Sequence, residues 1–284
     1  MIRSISILGT GTMGRGIAYL SAVAGYDTVM FDADASALET ARAAVDSILR
    51  KGVEKGKIGE SAAAEALQRL QLIPDLEPAV SGADLIIEAV PESFDLKKDL
   101  FAQADLFCSE ETILASNTSS ISITQLAGNV ERREQFVGMH FFNPPHLMKL
   151  IEIVRGERTS DATVETVRAV AEKMGKTPIV VRDSPGFATS RLGVAIGLEA
   201  IRMLEEGVAS AEDIDRAMEL GYNHPMGPLR LTDLVGLDVR LGIAEYLAAT
   251  LGPRFEPPQL LRDLVRQGKL GRKSGEGFYR WPSE

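Results

Sequence analysis

Short apolar runs alternate with longer segments of helical periodicity over the first 183 residues. Most runs are rich in Ile, Val and Leu and lack the every-second-residue polarity of a half-exposed strand. Continuous runs of this kind are typical of parallel strands that are buried on both faces. The predicted strands are 4–8, 28–31, 84–90, 113–116, 136–142, 150–154 and 178–181.

Helical patterns fill the intervals between these runs. The first helix is predicted from Met13 to Ala24 with Gly25 closing it, and an Ala-rich helix is predicted over about 35–53. Because strands and helices alternate, we expect an α/β fold. It is a Rossmann-type, doubly wound, mostly parallel sheet with helices on both faces.

The character of the chain changes after the segment 182–187. Strand-like runs nearly vanish, and helical patterns such as 193–207 take over. Pro185 and Gly186 interrupt the chain at this point. The predicted organisation is therefore a dinucleotide-binding domain over 1–183 and an all-helical domain over 184–284.

Composition excludes several classes of protein. The 284 residues are 45% hydrophobic and 25% charged, which supplies enough apolar material for a packed core and argues against disorder. The formal net charge of −9 argues against general nucleic-acid binding. A mean hydropathy of +0.01 and the lack of an 18-residue uncharged apolar run argue against a membrane-spanning helix.

The single cysteine, Cys108, excludes an internal disulfide and any cysteine-built zinc site, so no metal site is predicted. No targeting segment precedes the first predicted strand, and we expect a reducing cytoplasmic location. Histidines are few as well, so His140, His146 and His224 are the whole set of imidazole candidates for proton transfer.

A glycine-rich turn directly follows the first predicted strand. Gly9 permits the tight turn, Gly11 allows close approach of a pyrophosphate, and Gly14 permits close helix–strand packing. The helix N-terminus offers N–H groups and a positive dipole end to the anion. Asp32 ends the second strand, and its carboxylate suits ribose hydroxyls and repels a 2′-phosphate. NAD is therefore favoured over NADP, the alternative being a similar turn that binds no dinucleotide.

A histidine and a glutamate form the second candidate constellation. His140 lies at the end of an apolar strand, and Glu152 interrupts the aliphatic run 150–154. A carboxylate among aliphatic side chains needs a partner if it is buried, and a histidine on a neighbouring strand would supply one. Such a carboxylate would orient the ring as a general base. The alternatives are a structural core histidine and a Glu152 that faces solvent from an edge strand, while His146 and His224 are expected in loops or at element ends.

Seven motifs in this chain occur in the same order as in a known family. They are ILGTGTMGRGIA (7–18), LIIEAVPE (85–92), ILASNTSSISIT (113–124), MHFFNPPHLMKLIEIV (139–154), SPGF (184–187), HPMGPLRLTDLVGLD (224–238) and GRKSGEGFY (271–279). On these residues the chain resembles the L-3-hydroxyacyl-CoA dehydrogenases, and among them the short bacterial 3-hydroxybutyryl-CoA dehydrogenases. ASNTSS followed by HFFNP is specific to this family, whereas the glycine turn is shared widely.

The resemblance implies NAD-linked oxidation of a 3-hydroxyacyl-CoA thioester to the 3-oxo form. It also implies a helical C-terminal domain that forms a homodimer, which agrees with the small size of that domain. By the resemblance, His140 is the catalytic base and Glu152 its orienting carboxylate. Ser119 contacts both the substrate oxygen and the nicotinamide side of the cofactor.

Further positions carry over from the family. Glu92, Lys97 and Asn143 match positions near the cofactor, and Lys51 and Lys55 match the basic helix end that meets the CoA phosphates. The residues themselves point the same way, because CoA is polyanionic and charges gather at the end of the helix over 35–53. These charged residues are Arg50, Lys51, Glu54, Lys55 and Lys57. The alternative is a solvated helix end whose lysines favour the dipole.

One position departs from the family pattern. Ser190 stands where the family usually carries an asparagine that helps to hold the substrate oxygen. A serine hydroxyl is shorter and less directional than an amide. Ser190 donates directly, or a water bridges, or His140 and Ser119 hold the oxygen alone. The departure bears on turnover and substrate preference rather than on the reaction class.

Two alternative functions stay open at this point. One is a nicotinamide-dependent dehydrogenase of free hydroxy acids or sugar acids, which needs no clamp for CoA. The other is a non-catalytic NAD-binding sensor or structural protein, which the departure at Ser190 favours. Retention of both His140 and Glu152 argues against a protein that only binds NAD.

Overall fold

The computed structural model describes residues 1–282 and divides the chain into two compact units. The first runs from Met1 to Ser184, and the second begins at Pro185. Each unit has its own buried hydrophobic core.

An eight-stranded sheet forms the centre of the first unit. Its strands are β1 (Ser4–Leu8), β2 (Asp27–Phe31), β3 (Leu70–Leu72), β4 (Leu85–Glu88), β5 (Ile113–Ser116), β6 (Phe136–Phe141), β7 (Leu150–Arg155) and β8 (Thr177–Arg182). The strand order is β3-β2-β1-β4-β5-β6-β7-β8, and pairing is parallel from β3 through β6. The predicted doubly wound, mostly parallel sheet is therefore confirmed.

The pairing of β6 with β7 is antiparallel, and β8 is parallel to β7. Only eight residues connect β6 to β7. A parallel connection needs a crossover of about a dozen residues or more, so this short loop requires the chain to reverse. The sequence pattern located both strands without giving their relative direction. The three-residue edge strand β3 lies in a stretch for which no element was predicted.

Helices flank the sheet of the first unit. They are α1 (Thr12–Val23), α2 (Ala35–Glu54), α3 (Glu60–Gln68), α4 (Leu76–Val80), α5 (Phe94–Phe107), α6 (Ile123–Ala127) and α7 (Asp161–Lys173), with a short 3-10 helix at Arg133–Gln135. Apolar residues of α1, α2 and α7 pack against one face, which includes Met139 and Phe141 of β6. Since side chains alternate along a strand, His140 points to the opposite face of the sheet.

The second unit is helical, as predicted. Its elements are α8 (Thr189–Glu205), α9 (Ala211–Gly221), α10 (Pro228–Val235), α11 (Leu237–Leu251) and α12 (Gln259–Arg266), with 3-10 helices at Pro253–Phe255 and Arg272–Ser274. Its core includes Leu198, Leu229, Leu237, Leu247 and Leu261. Within residues 1–282, no helix combines the length and the apolar character needed to cross a membrane.

Candidate active site

The glycine turn between β1 and α1 has the steric properties of a phosphate cradle. Gly9 has a φ of +99°, and a Cβ there would lie 2.9 Å from the backbone of Ala89. A Cβ on Gly14 would lie 1.8 Å from the carbonyl oxygen of Gly9, so only glycine permits this packing. A Cβ on Gly11 would meet no described atom within 4 Å. The turn is thus closed on its protein side and open at Gly11, which fits a dinucleotide pyrophosphate.

Asp32 follows β2 directly and is oriented by the same turn. Its Oδ2 accepts hydrogen bonds from the backbone N–H of Thr10 at 2.8 Å and from the Thr10 hydroxyl at 2.7 Å. Its Oδ1 accepts from the backbone N–H of Asp34 at 3.1 Å. The carboxylate is therefore held beside the glycine turn, where the acidic residue of this motif binds the ribose hydroxyls of NAD.

His140 and Glu152 lie directly opposite each other on β6 and β7. The His140 Nδ1 and the Glu152 Oε2 are 2.7 Å apart, a hydrogen-bond distance. Glu152 is fully buried and His140 is 7% exposed. The solvent-facing interpretation of Glu152 is therefore wrong, because the carboxylate lies inside the sheet with the imidazole as its partner.

This pair has the properties of an oriented general base. With Nδ1 donating to a carboxylate, the tautomer of the ring is set and a proton-transfer role falls to Nε2. Glu152 also offsets the positive charge that the ring acquires on protonation. The antiparallel ladder fixes both backbones, so the pair does not depend on a mobile loop for its geometry.

A cleft of about 320 Å³ in the first unit brings together five of the predicted site residues. Its lining includes His140, Ser119, Glu92, Lys97 and Asn143. These residues come from the ends of β4, β5 and β6 or from the segments that follow. The carboxyl ends of parallel strands meet at one edge of a sheet, which is where α/β proteins bind their ligands.

Two of the larger grooves, of about 560 and 1030 Å³, lie elsewhere in the first unit. Both are lined by Glu131, Arg133 and Arg158 and contain none of the predicted site residues. Volume alone would select them, but their acidic and basic side chains are mixed and no histidine lines them. The smaller cleft is the candidate active site because His140 and Ser119 line it together with the ionisable side chains of Glu92 and Lys97.

Glu92 ties two loops of the cleft together. Its Oε1 accepts hydrogen bonds from the Thr118 hydroxyl at 2.5 Å and from the backbone N–H groups of Ser119 and Ser120 at 3.0 and 3.2 Å. Burial acts to raise the pKa of Glu92, but Lys97 and these donors outweigh it, and the pKa lies below its ordinary value. Glu92 is therefore a carboxylate that positions Ser119.

Lys97 is the buried counter-ion of this region. Its Nζ lies 2.6 Å from the Glu88 Oε1 and 3.2 Å from the Glu92 Oε2, and the side chain is 2% exposed. Glu88 is fully buried and also accepts from the Ser116 hydroxyl at 2.6 Å. Burial raises the pKa of Glu88, while Lys97 opposes that change. The Lys97 ammonium thus contacts two carboxylates.

Sequence reasoning did not single out Glu88 or Asn117. Glu88 ends the aliphatic run of β4, the same signal that identified Glu152, and its burial could have been inferred in that way. The Asn117 Oδ1 accepts from the backbone N–H of Phe141 at 2.9 Å, which joins the end of β5 to the end of β6. Asn117 also lines the cleft, and its only signal was its place inside the ASNTSS motif.

The remaining predicted residues lie away from the cleft lining. Lys51 lies in the last turn of α2, Lys55 caps that helix, and both are exposed. Ser190 lies in the first turn of α8 in the second unit. His146 lies in the loop between β6 and β7, and His224 follows α9, both outside regular elements as expected. Among the described residues, no group of three or more His, Cys, Asp or Glu could hold a metal ion.

The parallel sheet, the glycine turn and the oriented histidine define an NAD-dependent dehydrogenase. Family comparison agrees: the 3-hydroxyacyl-CoA dehydrogenase NAD binding domain matches residues 4–184, and the C-terminal domain of the same family matches residues 186–281. The chain belongs to the 3-hydroxyacyl-CoA dehydrogenase family. It is an enzyme that uses NAD to interconvert 3-hydroxyacyl-CoA and 3-oxoacyl-CoA.

Individual relatives cover nearly the whole chain. A probable 3-hydroxybutyryl-CoA dehydrogenase of Deinococcus radiodurans is 46% identical over 276 residues, covering 97% of this chain and 99% of the relative. The 3-hydroxybutyryl-CoA dehydrogenase of Clostridioides difficile is 42% identical over 276 residues, covering 97% and 98%. The crystal structure of (S)-3-hydroxybutyryl-CoA dehydrogenase from Ralstonia eutropha superposes with a TM-score of 0.97 at 43% identity, covering all of both chains.

Proposed function

We propose that this enzyme acts on the short-chain substrate pair (S)-3-hydroxybutyryl-CoA and acetoacetyl-CoA. The observation that carries the chemistry is the buried His140–Glu152 pair at a cleft that also holds Ser119. The two relatives and the crystal structure compared above are named for the 3-hydroxybutyryl thioester, which supports the short acyl chain.

In the oxidative direction, His140 removes the proton from the 3-hydroxyl through Nε2. Glu152 stabilises the imidazolium, and the Ser119 hydroxyl donates a hydrogen bond to the oxygen as its negative charge develops. Bound NAD supplies the acceptor for the hydride that leaves C3. In the reductive direction, His140 returns the proton to the same oxygen. Ser190 is proposed as a further donor to this oxygen, in place of the family asparagine.

The residues proposed to hold NAD divide into two groups. Gly9, Gly11 and Gly14 shape the turn for the pyrophosphate, and Asp32 accepts from the ribose hydroxyls. Glu92, Lys97 and Asn143 belong to the nicotinamide end because they line the cleft beside His140. Since the Lys97 ammonium is engaged by two carboxylates, we propose that it acts by holding Glu92 in place.

The CoA moiety is proposed to meet Lys51 and Lys55, whose exposed ammonium groups suit its phosphates. In the proposed domain organisation, residues 1–183 bind NAD, and residues 184–284 form the substrate and dimerisation domain. A location in the reducing cytoplasm remains a prediction, which rests on the single cysteine.

We also propose a homodimer formed through the second unit. α8 and α10 pack together, and each presents exposed apolar residues one turn apart, Leu192 with Ile196 on α8 and Leu231 with Val235 on α10. Light scattering should give twice the chain mass of 30.7 kDa. A measured mass of one chain would refute the dimer.

The activity is tested by loss of NADH absorbance on mixing the enzyme with acetoacetyl-CoA, with NADPH and free acetoacetate as controls. The thioester with NADH should react fastest, whereas equal rates with free acetoacetate would refute the CoA assignment. His140→Ala should lower turnover by about 100- to 10,000-fold, with NADH affinity nearly unchanged. His224→Ala, a change in a loop of the second unit, is the matched control. Turnover of His140→Ala within threefold of wild type would refute the assignment of the base.

A further inference from the structure

The loop between β6 and β7 runs from the cleft toward α1. Asn143, at its start, lines the cleft. Pro145 packs on Gly16 of α1, where an added Cβ would lie 2.8 Å from the proline ring. The ring of His146 then meets the ring of Tyr19 edge-on, with centroids 6.1 Å apart. The loop therefore carries His146 away from the reactive centre and onto α1.

Positive charge gathers around this histidine. Lys176 is 8% exposed, and its Nζ donates to the carbonyl oxygens of Pro145 at 2.5 Å and Met148 at 2.8 Å. Burial lowers the pKa of His146, and Lys176 and Lys57 lower it further. Tyr19 also joins this histidine to the end of α2, because a Cβ on Gly52 would lie 4.0 Å from the Tyr19 hydroxyl, and Lys57 follows that helix end. The surface around His146 is positive, and the buried ammonium holds the loop in place.

In the part of the chain that the structure describes, no carboxylate forms an ion pair with the lysines at the end of α2. Within residues 1–282, the ion pairs within 4 Å include none to Lys51, Lys55 or Lys57. Arg50 on the same helix behaves differently, because it pairs with Asp46 at 2.7 Å. The cluster therefore has a surplus of cations, and a surface of that kind attracts a polyanion.

We propose that Lys57 and His146 form a second phosphate-binding contact for the nucleotide end of the CoA thioester, continuous with Lys51 and Lys55. This inference rests on the proposed function. The nucleotide of CoA carries a pyrophosphate and a 3′-phosphate, more negative charge than two lysines balance. The path from Asn143 through His146 to Lys57 also links the reactive centre to the basic helix end.

Binding of a phosphate at this contact should change the protonation of His146, and that change can be measured. A phosphate beside His146 offsets the effect of Lys176 and Lys57 and raises the pKa of the ring relative to the free enzyme. The other group that faces the ring is Tyr19, whose pKa is raised by burial, so it stays neutral here. Binding therefore takes up a proton, and the KM for the CoA thioester should rise as the pH increases from the pKa of His146 in the free enzyme to its higher pKa in the complex.

The decisive experiment compares acetoacetyl-CoA with acetoacetyl-pantetheine, which has the same reactive end and lacks the nucleotide phosphates. Lys57→Ala and His146→Gln should each raise the KM for the CoA thioester about three- to tenfold, with kcat unchanged. The KM for the pantetheine thioester should stay within about twofold, since no phosphate contact is lost. Arg50→Ala, which removes a paired cation of the same helix, is the matched control and should leave both KM values unchanged.

The ratio of the two KM values separates the contact from the chemistry at His140, which both substrates share. This ratio should depend on pH in the wild type and be flat in His146→Gln. Equal KM changes for both thioesters, or no change for either, would overturn the inference. If the wild type reduces neither thioester, the proposed function has failed. Calorimetry with adenosine 3′,5′-bisphosphate then decides: weaker binding to Lys57→Ala supports the contact, and equal binding to both proteins overturns it.

Discussion

Lys97→Met tests the physical reasoning about the buried charges beside the cleft. The substitution keeps most of the side-chain length and removes the ammonium that contacts Glu88 and Glu92. Glu88 is fully buried, so its carboxylate has no solvent to replace the lost partner. Removing one member of a buried ion pair costs about 3–5 kcal/mol. For a domain of this size, that cost corresponds to a fall in Tm of roughly 6–20 °C.

The pH dependence distinguishes an unpaired charge from simple loss of packing. Without Lys97, burial raises the pKa of Glu88 further above its value in the unfolded chain. A carboxyl group whose pKa is higher in the folded state loses folding stability as the pH rises from its unfolded to its folded pKa. The deficit of Lys97→Met should therefore shrink toward acidic pH, by up to about 1.4 kcal/mol per pH unit.

Thermal and denaturant unfolding of three variants distinguishes an unpaired charge from a loss of packing. Lys98→Met is the matched control, since Lys98 lies next in the chain and contacts Asp95 and Asp99 only at 3.5 and 3.7 Å on the surface. It should cost no more than about 1 kcal/mol. The double variant Glu88→Gln/Lys97→Met should regain much of the loss because it leaves no charge at position 88. A Lys97→Met deficit equal to the control, or one that does not change with pH, would refute the reasoning.

Three further predictions concern the site itself. Glu152→Gln should lower turnover at least about tenfold with little change in NADH affinity, because the imidazolium loses its counter-charge; full activity would contradict an orienting role. Gly11→Ala should keep the wild-type Tm but weaken NADH binding about tenfold or more in a fluorescence titration, since the added Cβ meets only the space assigned to the pyrophosphate. Gly82→Ala, at another open glycine, is its control and should bind NADH normally. Asp32→Ala should reduce the preference for NADH over NADPH about tenfold or more, and an unchanged ratio of the two KM values would count against its place at the ribose.

Local signals in the sequence located the parts of the site that lie within one element or one motif. The glycine turn needed only its strand and helix neighbours, and Glu152 stood out because aliphatic residues flank it. Glu88 carried the same signal at the end of β4. Its partner Lys97, however, lies nine residues away on a helix. Without the fold, nothing marked that lysine as a counter-ion rather than a cofactor contact.

The direction of each strand and the contacts between neighbouring strands are harder to predict from the sequence. An apolar run predicts a strand without giving its direction. The antiparallel pairing of β7 is explained by the eight-residue connection, which is too short for a parallel crossover. The hydrogen bond of Asn117 to the end of β6 depends on strand order, which joins residues 24 positions apart. The three-residue strand β3 was too short to show any periodicity.

In the hairpin of β6 and β7, the proton-transfer pair lies on the strands, and the proposed phosphate contact lies in the loop between them. The reactive pair is held by the ladder, and its members are only 12 residues apart. The loop that joins them contains Asn143 and His146 and is anchored from outside by Lys176. On the proposed phosphate contact at His146, substitutions in the loop alter which acyl carrier the enzyme accepts, while the His140–Glu152 pair keeps its geometry. The same proposal implies that carrier recognition can diverge, in evolution and in engineering, at a few consecutive positions without any change in the residues that transfer the proton.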